Sequence, residues 1–130
     1  MIVDTSALLA LVFGEQHADW VAARMEESAG LLAMSTVNLT EAIIRIRDRF
    51  PDGFAAVEGR LLSGAIEFVE PDVDQARLAA AARLRFPLNL GDCFAYALST
   101  VLDQPILSVD EDFRSQDRPV ILPPLRPAAS

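Results

Sequence analysis

The chain is 130 residues long, 52% hydrophobic and 23% charged, which excludes a disordered or collagen-like polymer and leaves room for one domain with a proper core. Eleven basic residues against nineteen acidic ones give a net charge of −8. A generic nucleic-acid coat or membrane-surface protein carries the opposite sign, so any phosphate-bearing substrate must be met by a local device such as a bound cation or a few clustered arginines.

In chain order, short strands alternate with helices. Met1 to Asp4 reads as a buried strand and Thr5 to Phe13 as a helix. Glu15 to Glu27 places Ala18, Val21, Ala22 and Met25 at the spacing of an amphipathic helix. Leu31 to Met34 is a second strand, and a helix from about Asn38 to Phe50 carries Leu39, Ile43, Ile46 and Phe50 as its expected buried face. Pro51-Asp52-Gly53 breaks the pattern before a helix over Phe54 to Ser63 and a strand over Ile66 to Val69. Asp72 and Gln75 have capping-box spacing at the start of the next helix, whose expected buried stripe is Val73, Ala76, Ala80 and Leu84. After Pro87 to Gly91, a helix from Asp92 to Leu102 presents Phe94, Ala97, Leu98 and Val101. Pro105 to Val109 is a fourth strand, and Pro119 to Leu122 a fifth, placed at an edge by its prolines.

This alternation predicts an α/β fold, three-layered, with a central parallel sheet of four to five strands. The domain is expected over residues 1–122, with a frayed Pro- and Ala-rich tail over 123–130. In such folds ligands gather beyond the carboxyl ends of the strands. No apolar run approaches the roughly 18 residues that span a bilayer, and no basic segment precedes the first one, so a cytoplasmic protein is expected.

The residue inventory narrows the chemistry further. Lysine is absent, which removes Schiff-base catalysis and the phosphate-loop lysine. The single histidine, His17, excludes multi-histidine zinc sites and reads as a boundary residue. The single cysteine, Cys93, cannot form an intramolecular disulfide and reads as a small buried hydrophobe. Trp20 and Phe50 read as packing.

Carboxylates are left to carry the function. Asp4 follows the first strand directly and reads either as a helix cap or as a site residue. Glu41 has capping-box spacing from Asn38 and i+4 spacing to Arg45. Asp92 opens an apolar helix, where a cap is again the simple reading, and Asp110, Glu111 and Asp112 end the fourth strand. Taken together, Asp4 and Asp110 end strands while Glu41 and Asp92 begin helices along the same edge. Converging carboxylates repel, and a fold tolerates them when a hard divalent cation, Mg²⁺ or Mn²⁺, offsets the charge.

Four segments, in this order, resemble the PIN-domain ribonucleases, and among them the VapC-type toxins of bacterial toxin–antitoxin pairs. They are Met1-Ile2-Val3-Asp4-Thr5-Ser6-Ala7-Leu8, Glu41 on its helix, Leu90-Gly91-Asp92-Cys93, and Ile106-Leu107-Ser108-Val109-Asp110-Glu111-Asp112-Phe113. The resemblance covers about Met1 to Leu122, and departs in having Ser108 where the family more often has threonine. It implies a metal-dependent endoribonuclease with Asp4, Glu41, Asp92 and Asp110 as catalytic and metal-binding carboxylates. Asp112 is either a further ligand, through water, or a turn residue. Ser6, Asn38 and Ser108 are implied as hydroxyl and amide groups orienting the carboxylates, Asn38 with its capping role as the alternative. The same resemblance implies an RNA substrate, a small antitoxin partner and a homodimer. Arg45, Arg47, Arg49, Arg83 and Arg85 flank the carboxylate helices and either assist locally or pair with surface acids.

Other readings start from the same acids. A haloacid-dehalogenase-like phosphatase also ends its first strand in Asp, but places a second acid where Ser6 stands and uses a lysine. A phosphorelay receiver domain clusters acids around Mg²⁺, again with a lysine. A catalytically silent PIN-like binding module keeps the fold without the reaction.

Overall fold

Residues 1–28 and 30–125 are described by the computed structural model; the last part of the expected tail, 126–130, lies outside the described residues. Five short parallel strands, β1 (Ile2–Val3), β2 (Leu32–Ser35), β3 (Ile66–Val69), β4 (Ile106–Leu107) and β5 (Val120–Ile121), form one sheet in the order β3-β2-β1-β4-β5. Among the described residues six helices connect and cover them: α1 (Thr5–Phe13), α2 (Ala18–Glu27), α3 (Thr36–Arg49), α4 (Phe54–Leu62), α5 (Val73–Arg85) and α6 (Leu90–Leu102). A 3-10 turn over Glu111–Ser115 follows β4. The predicted α/β architecture and edge position of the last strand are therefore present.

Successive strand residues point to opposite faces, and each face has its own core. Val3, Leu32, Met34 and Leu107 join Leu8, Val21, Ala42 and Ile46, so α1, α2 and α3 cover one side. Ile2, Ala33 and Ile106 join Ala79, Ala82, Ala97, Leu98 and Phe113, so α5 and α6 cover the other. The sheet is thus the middle layer of three. Since β2 and β4 flank β1, the chain reverses its direction of travel across the sheet at β1, and the crevice beyond the carboxyl ends of β1 and β4 is the switch point where such sheets bind ligands.

Several element boundaries depart from the sequence pattern for local reasons. α1 stops at Gly14, whose φ of 61° lets its N–H reach the carbonyls of Ala10 and Leu11. Glu15 to His17 then form the joint, with His17 also left-handed at φ 73°, so α2 begins at Ala18 and not at Glu15. α3 begins at Thr36, capped by Ser35, whose Oγ accepts from Val37 N–H, so Asn38 is not the cap. α6 begins at Leu90, capped by Asn89, so Asp92 is not the cap either. Asp72 does cap α5 by accepting from Gln75 N–H.

The expected buried stripe of α5 is wrong. Val73, Ala76, Ala80 and Leu84 all face outward, Val73 at 75% and Leu84 at 89% exposure, while Gln75, Ala79 and Ala82 are buried. In a helix this rich in alanine, apolar periodicity marks no single face, and the small Ala79 and Ala82 are the ones that pack with α6 residues in the core. On α3 the buried line is Asn38, Ala42 and Ile46, with Leu39, Ile43 and Phe50 half-buried, so a polar residue occupies the inward position nearest the strand ends. On α6 the expected Ala97 and Leu98 are buried, Phe94 is half-buried and Val101 exposed.

Candidate active site

Asp4 follows β1 in extended conformation and is the helix cap, the first of the two readings the sequence left open. Its Oδ1 accepts from Ala7 N–H at 2.9 Å, capping α1. Its carboxylate also faces the switch point, where Ser6 Oγ lies 2.9 Å from Oδ1 and Ser108 Oγ donates to Oδ2 at 2.9 Å. The group is 2% exposed. Burial pushes its carboxyl up to about 7, the three hydrogen bonds pull the other way, and the Asp92 charge adds to the rise.

Ser108 lies directly after β4 and is fully buried. Besides donating to Asp4 it accepts from Asp110 N–H at 2.9 Å, so one hydroxyl couples the ends of two neighbouring strands. Ser6 accepts from Val109 N–H at 3.2 Å and lies 3.2 Å from Ser108 Oγ, closing the network. Ser6 and Ser108 thus both touch the Asp4 carboxylate.

Asp92 sits in the first turn of α6, nearly buried, with the Asn89 cap beneath it. Burial is the main cause that pushes its carboxyl up to about 6; the charges of Asp110, Glu41 and Asp112 add to it, and the Asn89 backbone opposes it. Its Oδ2 is buried and has no hydrogen-bond partner. A buried carboxylate oxygen left without a donor is costly, and this one stands in the field of three further acids.

Glu41, half-buried on α3, has its Oε1 held by Thr5 Oγ1 at 2.8 Å and Asn38 Nδ2 at 3.1 Å. Asn38 also donates to Gly91 O at 2.9 Å. Asp110 caps the 3-10 turn, its Oδ1 accepting from Asp112 N–H at 2.9 Å, and Phe113 behind it is wholly buried. Asp112 is exposed, and its charge acts on Asp92. The structure therefore brings Asp4, Glu41, Asp92, Asp110 and Asp112 to one edge. They act on one another through charge: among the described residues, no three His, Cys, Asp or Glu side chains close into a cage that would hold an ion as they stand. The donor set is all oxygen and net negative, and it includes the unpartnered Asp92 Oδ2, which suits a hard divalent cation.

Two contributors escaped the sequence reading. Thr5 stands there only as the first residue of a helix, and Gly91 only as the residue before Asp92. Their meeting with Glu41 joins positions far apart in the chain, which no local spacing signals. Most of the flanking arginines are engaged elsewhere. Arg47 pairs with Glu58 at 2.8 Å and lies over Phe54, Arg49 lies over Phe13, and Arg85 pairs with Asp117 and lies over Phe86. Arg45 and Arg83 form no ion pair among the described residues, and the Arg83 charge reaches Cys93 beside Asp92. Cys93 is fully buried, and burial pushes its thiol up, as suits a packing residue.

On the α1–α2 side an apolar groove of about 370 Å³ runs between helices, lined by Leu11, Val12, Met25, Phe50, Leu61 and Ile66 among others. No helix among the described residues is long and apolar enough to cross a membrane.

Comparison with known proteins places these features in context. The family model of the PIN domain matches residues 1–119. The chain is similar to ribonuclease VapC42 of Mycobacterium tuberculosis, 39% identical over 127 residues that cover 90% of this chain and 95% of that protein. It is similar also to ribonuclease VapC30 of the same organism, 36% identical over 125 residues with the same coverage of both chains. Among solved structures it resembles VapC20 of Mycobacterium tuberculosis, a Sarcin-Ricin loop cleaving toxin, with a TM-score of 0.74, 18% identity, and coverage of 87% of this chain and 92% of that one. It likewise resembles DNA-bound VapBC from Salmonella typhimurium, with a TM-score of 0.77, 15% identity, and coverage of 93% and 96%. At these identities the structural likeness is one of fold.

Proposed function

The chain belongs to the PIN-domain family as a VapC-type ribonuclease, the toxin of a toxin–antitoxin pair, and from that premise we propose that it hydrolyses RNA phosphodiester bonds with Mg²⁺ or Mn²⁺ held by Asp4, Glu41, Asp92 and Asp110. The observation that carries the metal reading is Asp92 Oδ2, buried and without a donor while the charges of Asp110, Glu41 and Asp112 bear on it. When bound, the cation supplies positive charge for the scissile phosphate and lowers the pKa of a water at neutral pH.

This chain's own residues do the rest. Ser6 and Ser108 orient Asp4 and hold its ionised form through hydrogen bonds. Asn38 steadies Glu41 against the start of α6. Asp110 presents one oxygen to the turn it caps and has the other for the site. Asp112 lies at the rim, with a water-mediated role at most. Of the arginines flanking the carboxylate helices, Arg45 and Arg83 form neither an ion pair nor a stack on an aromatic ring among the described residues, and they can meet RNA phosphates. The acidic surface is then consistent with a nuclease, because the cation carries the charge that the protein lacks.

We assign two surfaces to the protein partners. The apolar groove beside Phe50 and Leu61 suits an apolar segment of the antitoxin, whose basic residues would meet the carboxylate edge. The outward α5 face of Val73, Ala76, Ala80 and Leu84 suits a second copy of this chain. A domain over 1–122 and a cytoplasmic setting complete the reading. Purified protein incubated with a structured RNA in Mg²⁺ or Mn²⁺ tests it. Cleavage that EDTA stops and Asp92→Asn abolishes is the expected result; cleavage indifferent to EDTA overturns the metal site.

A further inference from the structure

The Glu41 carboxyl group is seated by three elements of the fold at once. From α1, Thr5 Oγ1 donates to Glu41 Oε1 at 2.8 Å, and lies 3.2 Å from the carbonyl oxygen of Asn38. From α3 itself, Asn38 Nδ2 donates to the same Glu41 oxygen at 3.1 Å, and also to Gly91 O at 2.9 Å. From α6, Gly91 offers a surface with no side chain, and a Cβ built there would overlap the Glu41 carboxyl group. Any side chain at position 91 would therefore have to displace the Glu41 carboxyl group from this seat, while the glycine backbone itself is free of left-handed strain.

We propose that Thr5 is a positioning residue for Glu41, its hydroxyl holding Oε1 and so fixing the orientation of a carboxyl group that lies with both oxygens against Gly91. The proposal rests on the reading of Glu41 as a site carboxylate. A glutamate has several rotatable bonds, and a single donor on one oxygen leaves the carboxyl group free to pivot. Asn38 supplies one donor, and its remaining N–H is committed to Gly91. Thr5 supplies the second, from a helix anchored by the Asp4 cap. The residue that caps α1 and the residue that opens it thus act on different carboxylates of the site: Asp4 is one of them, and Thr5 reaches across to another. Groups that orient ligands in this way characteristically alter metal affinity when removed.

The test compares Mn²⁺ binding by calorimetry and single-turnover RNA cleavage in wild type, Thr5→Val, Thr5→Ser, Glu41→Gln and the Thr5→Val/Glu41→Gln double variant, with melting in EDTA as the check on folding. Valine keeps the shape of threonine without the donor, and serine keeps the donor without the methyl. Thr5→Val is expected to weaken Mn²⁺ binding about 10-fold while Thr5→Ser stays within about twofold of wild type. Because Thr5 acts through Glu41, Thr5→Val should add nothing in the Glu41→Gln background. Wild-type Mn²⁺ affinity in Thr5→Val, equal impairment of the valine and serine variants, or additive losses in the double variant would each overturn the proposal. Should Thr5→Val melt early, Thr5→Ala removes the same donor without the β-branch and is held to the same criteria. Wild-type binding and cleavage in Glu41→Gln would instead overturn the reading of Glu41 on which the proposal rests.

Discussion

Ser108 Oγ lies 2.9 Å from Asp4 Oδ2, a hydrogen bond that spans 104 residues and joins the carboxyl ends of β1 and β4. The same oxygen accepts from Asp110 N–H, so the hydroxyl ties the Asp4 carboxylate to the backbone that carries Asp110. Ser108→Ala removes both bonds and leaves Asp4 less able to hold its charge. We expect a loss of roughly 1.5–3 kcal/mol in transition-state stabilisation, the usual worth of a hydrogen bond to a charged group, with Ser108→Thr close to wild type. Single-turnover cleavage at saturating Mn²⁺ decides this. A wild-type rate in Ser108→Ala would show that the bond is only structural.

Asp4→Asn should abolish cleavage and leave the fold intact. Asparagine retains an acceptor for Ala7 N–H and so keeps the cap, but removes one charge from the site. The expected loss is about 100-fold or more, the scale of removing a charge-stabilising group. If Asp4 were a cap and nothing else, cleavage would persist, with at most about 1 kcal/mol of stability lost. Cleavage and thermal melting of the same preparation separate the two.

Metal-free protein should become less stable as pH rises. Burial raises Asp4 to about 7 and Asp92 to about 6, whereas in the unfolded chain both titrate near the ordinary 3.8. Between these values the folded state binds more protons than the unfolded state. The stabilisation is therefore fully present below the unfolded value and is lost as pH climbs through 6 and 7. Melting in EDTA should fall between about pH 5 and about pH 8, and Mg²⁺ should restore more at the higher pH, where no proton has to leave. Asp4→Asn should flatten the upper part of the curve. A variant curve parallel to that of wild type would count against a raised Asp4.

Asp110→Ala should cost more activity than Asp112→Ala, by about 2 kcal/mol or more. Asp110 follows the buried Ser108, is bonded to it through its N–H and caps the turn, whereas Asp112 is exposed. Single-turnover rates at saturating Mn²⁺ are the measurement. Equal losses would give both acids a share in the metal, and a larger loss at Asp112 would move the fourth carboxylate two residues along the chain.

Leu84→Glu should shift the protein toward monomer without lowering its melting temperature. The side chain is 89% exposed, so a charge there disturbs no core, yet it lies on the apolar face assigned to self-association. Light scattering after size exclusion checks the outcome; an unchanged mass would remove α5 from the interface.

How legible the molecule is from its sequence differs from element to element. The span Thr5–Phe13 of α1 and the span Ile66–Val69 of β3 coincide with the sequence pattern, because strong apolar runs end there at Gly14 and beside Gly64 and Pro71. α5 is the opposite case. Its alanines supply apolar character all round, so period alone does not choose a face, and the choice of Ala79 and Ala82 over Val73 and Leu84 is made by the partners available in the core.

The candidate site divides in the same way. By itself the sequence determined the alternation that makes a parallel sheet, the acids at strand ends and helix starts, and the absence of lysine that turns such acids toward a cation, since these are properties of residue type and local spacing. Tertiary structure alone decided that Asn89 and Ser35 are the caps, which frees Asp92 and Asn38 to face inward. It also decided that Thr5 and Gly91 meet at Glu41, and that Asp92 Oδ2 is left without a donor. A cap is a competition between neighbouring side chains for the same N–H groups, and a contact across the sheet edge depends on where whole helices come to rest. Both are settled only when the packed layers fix the backbone, which no stretch of the sequence does alone.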